Sequence, residues 1–251
     1  MTPSHEDRPR PVRNSHRADR AVPGARRMFR LGILATAALG SIGAVAGVAQ
    51  AVTFSDGYSS DSGGIAVANN EAFALSNAQE QSTFKDSFTV HQYGDVFAAT
   101  VRNDATAESV ACSPASPCRA VSLSFQIITM AGTDIHLNAV NLGNADNVHC
   151  AGCQTVAGAY QFVVDTPAAF TLSRSAESQL ATIHRQLDAL SNSTLSIDDV
   201  QSKADALAVQ VAAILKTAAA SAPASGGTGI HPLTATAASP TVRVYRDFQQ
   251  H

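Results

Sequence analysis

Apolar and polar residues alternate strictly along Val121-Ser122-Leu123-Ser124-Phe125-Gln126-Ile127. Val121, Leu123, Phe125 and Ile127 then share one face of an extended chain, which predicts a β-strand. Looser alternation runs from Phe84 to Val90, with Phe84, Phe88 and Val90 on one face, and from Ile135 to Leu142. Ile65 to Ala68 begins a further run. Val96 to Val101 is apolar up to the turn-like Asn103-Asp104, and Thr155 to Val164 is the most apolar stretch. Gly, Asn, Asp and Ser separate these runs. About five strands, paired antiparallel, are therefore expected between residues 65 and 166. Residues 71–81 also suit a short helix, and no long internal repeat stands out.

The period changes after Pro167. Leu172, Ala176, Leu180, Ile183, Leu187 and Leu190 recur three or four residues apart, which puts them on one helical face. After the turn Ser191-Asn192-Ser193-Thr194-Leu195, a second seam holds Ile197, Val200, Ala204, Leu207, Val211 and Ile214. Ser196-Ile197-Asp198-Asp199 resembles a capping box, with Asp in place of Glu. Two similar amphipathic helices on a short turn predict an antiparallel helical hairpin over 167–217, its seams buried by packing. The fold class expected is α+β: a small antiparallel sheet domain at 65–166, then the hairpin. Residues 218–251 are rich in Ala, Ser, Pro, Thr and Gly and read as a flexible tail. Within it Thr241 to Arg246 is briefly strand-like; it could dock on the sheet edge, and fraying is the favoured expectation.

The N-terminal stretch follows neither period. Residues 1–27 are rich in Pro, Arg and His and are expected to be disordered. Residues 28–51 carry the marks of an export signal. Arg26-Arg27, one spacer and Phe29 resemble a twin-arginine motif, Leu31 to Val48 is uncharged, and Ala49-Gln50-Ala51 fits a small-x-small cleavage site. The rival is an uncleaved anchor, because residues 31–51 approach the roughly 20 residues that span a bilayer. Either way residues 52–251 are expected outside the cytoplasm, secreted or held by one N-terminal segment. Val52 to Gly64 reads as a linker.

Charge sharpens this division. Residues 1–51 hold eight Arg against Glu6, Asp7 and Asp19, while residues 52–251 hold nine Lys or Arg against seventeen Asp or Glu. An acidic exported part is a poor match for phosphate backbones, so nucleic acid is not expected as a partner. Only 6% of residues are aromatic and Trp is absent. A light core follows.

Candidate chemistry is sparse. Asp61-Ser62-Gly63-Gly64 matches a serine-protease nucleophile loop in letters only, because it lies early in the part expected to be exported, and no His of that part precedes it. Cys112, Cys118, Cys150 and Cys153 are an even set in an exported segment, which points to disulfides. Three connectivities exist, and the short spacings favour Cys112–Cys118 with Cys150–Cys153. Two other uses compete. Cys150-Ala151-Gly152-Cys153 has redox-pair spacing, but an apolar strand follows it where a helix N-terminus would activate a thiol. All four cysteines, with His149 or His136, form a possible zinc set.

The segment from Val121 to Leu215 resembles the extracytoplasmic C-terminal part of actinobacterial proteins named as peptide zinc metalloproteases. The resemblance rests on three features. One is the strand from Val121 to Ile128. The second is Cys150-x-x-Cys153-Gln154-Thr155-Val156-Ala157 running into Tyr160-Gln161-Phe162-Val163-Val164. The third is the helix pair, with Gln179-Leu180-Ala181-x-Ile183 in the first helix and Leu195-Ser196 through Val211-Ala212-Ala213-Ile214-Leu215 in the second. Those relatives carry a His-Glu-x-x-His zinc site in a multi-span membrane domain. Here the only His-Glu is His5-Glu6, with no His at the matching offset. The resemblance implies a shared module, not proteolysis. The sequence thus predicts a non-catalytic cell-envelope interaction or structural module, with no cofactor and an envelope protein as partner. The alternative is an extracytoplasmic thiol–disulfide or zinc-binding protein using Cys150 and Cys153.

Overall fold

The computed structural model describes residues 53–57, 64–223 and 239–251. In chain order the elements are β1 Thr53–Gly57, β2 Gly64–Asn77, β3 Ser82–Val110, β4 Arg119–Ala131, β5 His136–Val148, β6 Gln154–Thr166, α1 Arg174–Asp188, a 3-10 turn Ala189–Asn192, α2 Ile197–Ala220 and β7 Thr241–Gln250.

The strand pairing is the main correction to the sequence expectation. β3 pairs in parallel with β1, β2, β4 and β5, and β4 pairs in parallel with β6. Only β7 runs antiparallel, along β6. The fold is a seven-stranded mixed sheet, not a small antiparallel one. Two helices do form near the predicted seams, but as short C-terminal additions laid on this sheet rather than as a hairpin following a separate antiparallel domain.

β3 explains how parallel strands arise without helical crossovers. It is 29 residues long, and its pairing register slips between Gln92 and Asp95. Before the slip it pairs with β1 and β4, and after it with β2 and β5. One strand therefore serves two layers: an inner sheet of β1, the first half of β3, β4, β6 and β7, and an outer sheet of β2, the second half of β3 and β5. The chain coils between them, laying an outer strand, turning, then laying an inner strand on the one before. Each coil stacks only on its neighbours, the arrangement of a short solenoid.

The coiling creates a repeat. Asn70 and Asn103 are 33 residues apart, and Asn103 and Asn141 are 38 apart, yet all three occupy one rung of the outer sheet. Around them Ala66, Ala68, Ala72 and Ala74 stack on Ala99, Val101, Ala105 and Ala107. Ala side chains let the two sheets approach closely, so that the Ser122 hydroxyl donates across the gap to the Ala72 carbonyl at 2.8 Å. Residues 71–77 belong to this ladder and are strand, not helix, and Asn103-Asp104 lies inside β3, not in a turn.

The inner sheet is buried on both faces. On one, Phe88, Phe125 and Tyr160 sit on adjacent strands in register and stack, at 5.9 and 4.5 Å between ring centroids. Leu180, Ile183, Leu187, Val200, Val211 and Leu215 from the helices close over them in one core. Ser173 and Ser196 cap the helices, accepting from the backbone amides of Ala176 and Asp199. On the other face Ser122, Ser124, Gln126 and Gln161 lie between the sheets and hydrogen-bond there.

Two terminal expectations also change. Thr53–Gly57, placed in a linker, forms β1. Thr241 to Arg246, for which the sequence favours fraying over docking on the sheet edge, is docked: it belongs to β7, which pairs with β6 along its length from Thr241 to Gln250. Arg246 on β7 makes a two-point contact with Asp205 of α2 at 2.7 and 2.9 Å, and the Tyr160 hydroxyl donates to the same carboxylate at 2.9 Å. Burial first, and then that Asp205 bond, push the Tyr160 phenol well above its usual range. Among the described residues no helix is long and apolar enough to cross a membrane.

Candidate functional site

The four cysteines gather at one end of the coil. β3 and β5 both end in an outer strand that must turn back to the inner sheet, and the two turns stack. Val110 pairs with Val148, and each is followed by a residue of positive φ, Ala111 at 56° and His149 at 51°. Cys112 and Cys150 come next. Both turns end just before Arg119 and Gln154, which are also paired, so Cys118 and Cys153 occupy equivalent positions. Gly152, at φ 78°, completes the tighter turn where a side chain would be strained.

The bonds are Cys112–Cys118 and Cys150–Cys153, the local pairing that the spacings favour. The stacking adds what spacing does not show. All four sulfurs lie within 4.8 Å of one another, and all four residues are buried in a cluster of their own. The backbone N–H of Cys118 donates to the Cys153 sulfur at 3.1 Å, across from one turn to the other. His149 is exposed beside the cluster, and His136 is exposed at the start of β5. Neither is grouped with the sulfurs. Arg26, Arg27, Phe29, Ala49 and Ala51 lie outside the described residues, as does Ser62.

A second titratable group went unnoticed in the sequence. His184 of α1 is 2% exposed, and its Nε2 lies 3.2 Å from Asp86 of β3 and 3.4 Å from Asp188, one helical turn on. The Phe88 ring stacks on the imidazole at 5.2 Å. Burial, followed by the charge of Asp86, pushes the Asp188 carboxyl up to about 6, against the opposing pull of His184. The three groups pair with one another beneath the helix layer and tie α1 to the sheet, with the Asp188 side chain still 22% exposed. The only sequence hint was that His184 follows directly on the seam residue Ile183.

Two surface features of the described residues lie apart from these clusters. A cavity of about 750 Å³ opens between α1, α2 and the register slip of β3, lined by Tyr93, Phe170, Ala176, Ile214 and Ala218 with Ser and Thr hydroxyls among them. None of its described lining residues is charged. The outward face of β2 is the other. Ile65, Val67, Phe73 and Leu75 stand 63, 59, 48 and 37% exposed along a strand whose inward residues are Ala, Asn and Ser. Their alternation was legible only as far as Ala68.

No family model, curated protein or solved structure matches the chain.

Proposed function

We propose that this chain is an exported, non-catalytic cell-envelope module that binds a partner protein through the outward face of its outer sheet. The observation that carries the proposal is the row of Ile65, Val67, Phe73 and Leu75 on β2. Four large apolar side chains on one edge strand are an unfavourable solvent surface and a favourable docking one. The export-like leader and the resemblance of residues 121–215 to an extracytoplasmic module support the same reading. Asn69 and Glu71 interrupt the row and supply polar contacts beside it.

The test is photocrosslinking in the producing cell. A crosslinking residue at Phe73 is expected to give one discrete adduct, and Val67→Lys in the same chain should abolish it. A crosslinking residue at the exposed Ser178 on α1 should give none. Adducts from Ser178 with none from Phe73, or none from either, would sink the proposal. The leader has its own check. A mature chain starting at Val52 is expected on N-terminal sequencing, whereas an intact Met1 would replace the cleaved signal by an anchor.

A further inference from the structure

We infer that the four-cysteine cluster is a redox-gated site for one thiophilic divalent cation of the zinc type, held by Cys112, Cys118, Cys150 and Cys153 together. The inference is independent of the docking face and does not rest on it.

Geometry carries it. A tetrahedral zinc–thiolate centre has metal–sulfur bonds of about 2.3 Å, which place its sulfurs somewhat under 4 Å apart. The four sulfurs here already lie within 4.8 Å of one another. Opening each bonded pair and drawing the two turns slightly together reaches that arrangement without moving a strand. The donors come from two stacked turns that the parallel ladder holds in register, with Val110 on Val148 before them and Arg119 on Gln154 after them. Such a site is organised before the metal arrives. The amide of Cys118 already points at the Cys153 sulfur, and an N–H donor favours the thiolate over the thiol. Burial of all four residues leaves little room for competing water.

As the chain stands, both disulfides block the donors. A dithiol reductant opens them: each disulfide takes two electrons and two protons, and each reductant dithiol leaves as its own disulfide. One divalent cation then replaces the four thiol protons and is held by four thiolates. A disulfide oxidant reverses the sequence: two of its disulfides each take two electrons from a pair of thiolates and two protons, leave as dithiols, and the metal is expelled. The local pairing matters here, because it stores the four donors two by two within each turn and leaves the strand register unchanged.

The experiment uses the full chain, reduced with dithiothreitol without oxygen, freed of reductant and titrated with Co²⁺ and then Zn²⁺. The expected result is one Co²⁺ per chain with a thiolate charge-transfer band and tetrahedral visible bands. One equivalent of Zn²⁺ should displace it. The untreated, disulfide-bonded chain should bind neither. The double variants Cys112→Ser/Cys118→Ser and Cys150→Ser/Cys153→Ser should each bind at least 100-fold more weakly, and His149→Ala should bind as the parent does. Native mass spectrometry of the reduced parent chain gives the stoichiometry without any variant. A reduced chain that takes up no metal, or that takes up two ions, would overturn the inference. So would a double variant that binds like the parent, or a reduced chain that loses its far-ultraviolet dichroism and does not regain it with one equivalent of Zn²⁺.

Discussion

At the scale of single residues, the buried polar groups decide most. Asn103 is fully buried between the sheets. Its amide donates to Asn141 at 2.8 Å and to the Tyr160 and Ser124 carbonyls at 3.2 and 3.3 Å, and its oxygen accepts from Asn70 and Ser124. Asn103→Ala leaves several partners unsatisfied in a low-dielectric gap, so a loss of about 2–3 kcal/mol is expected in urea unfolding. Asn138→Ala, on the exposed face of the same sheet, should stay within about 0.5 kcal/mol of the parent. Asp188 gives a pH dependence. Its carboxyl sits at about 6 when folded, against a reference value of 3.8, so between those values the folded chain holds more protons than the unfolded one. Its contribution is therefore greatest below about pH 4 and declines as pH rises through 6. In Asp188→Asn that decline should vanish, and the urea midpoint should fall less between pH 4 and 7 than in the parent. An unchanged slope would place the titration elsewhere.

At the scale of elements, β3 and β7 differ in how strongly the chain marks them: β3 carries two clear strand runs, whereas β7 is only briefly strand-like, over Thr241 to Arg246. Phe84 to Val90 and Val96 to Val101 read as two strands, but the register slip at Gln92 makes them one strand shared by two layers. β7 has weak local signal, yet the open edge of β6 supplies ten pairing positions and Asp205 supplies a partner for Arg246. Gly143 marks how closely β7 approaches the outer sheet. A Cβ there would meet the Asp247 carbonyl at 2.9 Å and the Ala157 carbonyl at 3.0 Å, both backbone. Its own amide donates to the Asp247 carboxylate at 3.0 Å. Gly143→Ala is expected to cost about 1–3 kcal/mol by forcing the β7 backbone away, with faster amide exchange in β7 than in β4. Equal exchange in both would mean that β7 is held without this contact.

At the scale of the whole molecule, stability comes from stacking light coils rather than from one heavy core. Ala fills the gap between the sheets, and the aromatic residues are concentrated where the helices close over the inner sheet. The disulfides sit at one end of the coil and close short loops, so each restricts the unfolded chain modestly. Replacing either pair by Ser should lower stability by roughly 2 kcal/mol and leave the fold recognisable by circular dichroism. Collapse of the whole spectrum from loss of one pair would show that the turns hold the coils together.

By itself the sequence determined local character. A period-2 run marked β4, the most apolar stretch marked β6, the seam from Leu172 to Leu190 marked α1, and Ser196 marked the start of α2, because each of these depends on neighbours in the chain. The even cysteine count and short spacings pointed to the disulfide pairs. Tertiary structure decided which strands pair and in which direction. Ser122, Ser124 and Gln126 alternate with the apolar face of β4 as solvent-facing residues would, but a second sheet covers them: Ser122 and Ser124 hydrogen-bond to it, and Gln126 accepts from Gln161 of the neighbouring strand β6. A polar residue facing water and one satisfied between layers are the same letters. The coil repeat was hidden for a related reason: its period is long and varies from 33 to 38 residues, so only strand register reveals that Asn70, Asn103 and Asn141 share a rung. The convergence of four sulfurs follows from that register and from nothing local.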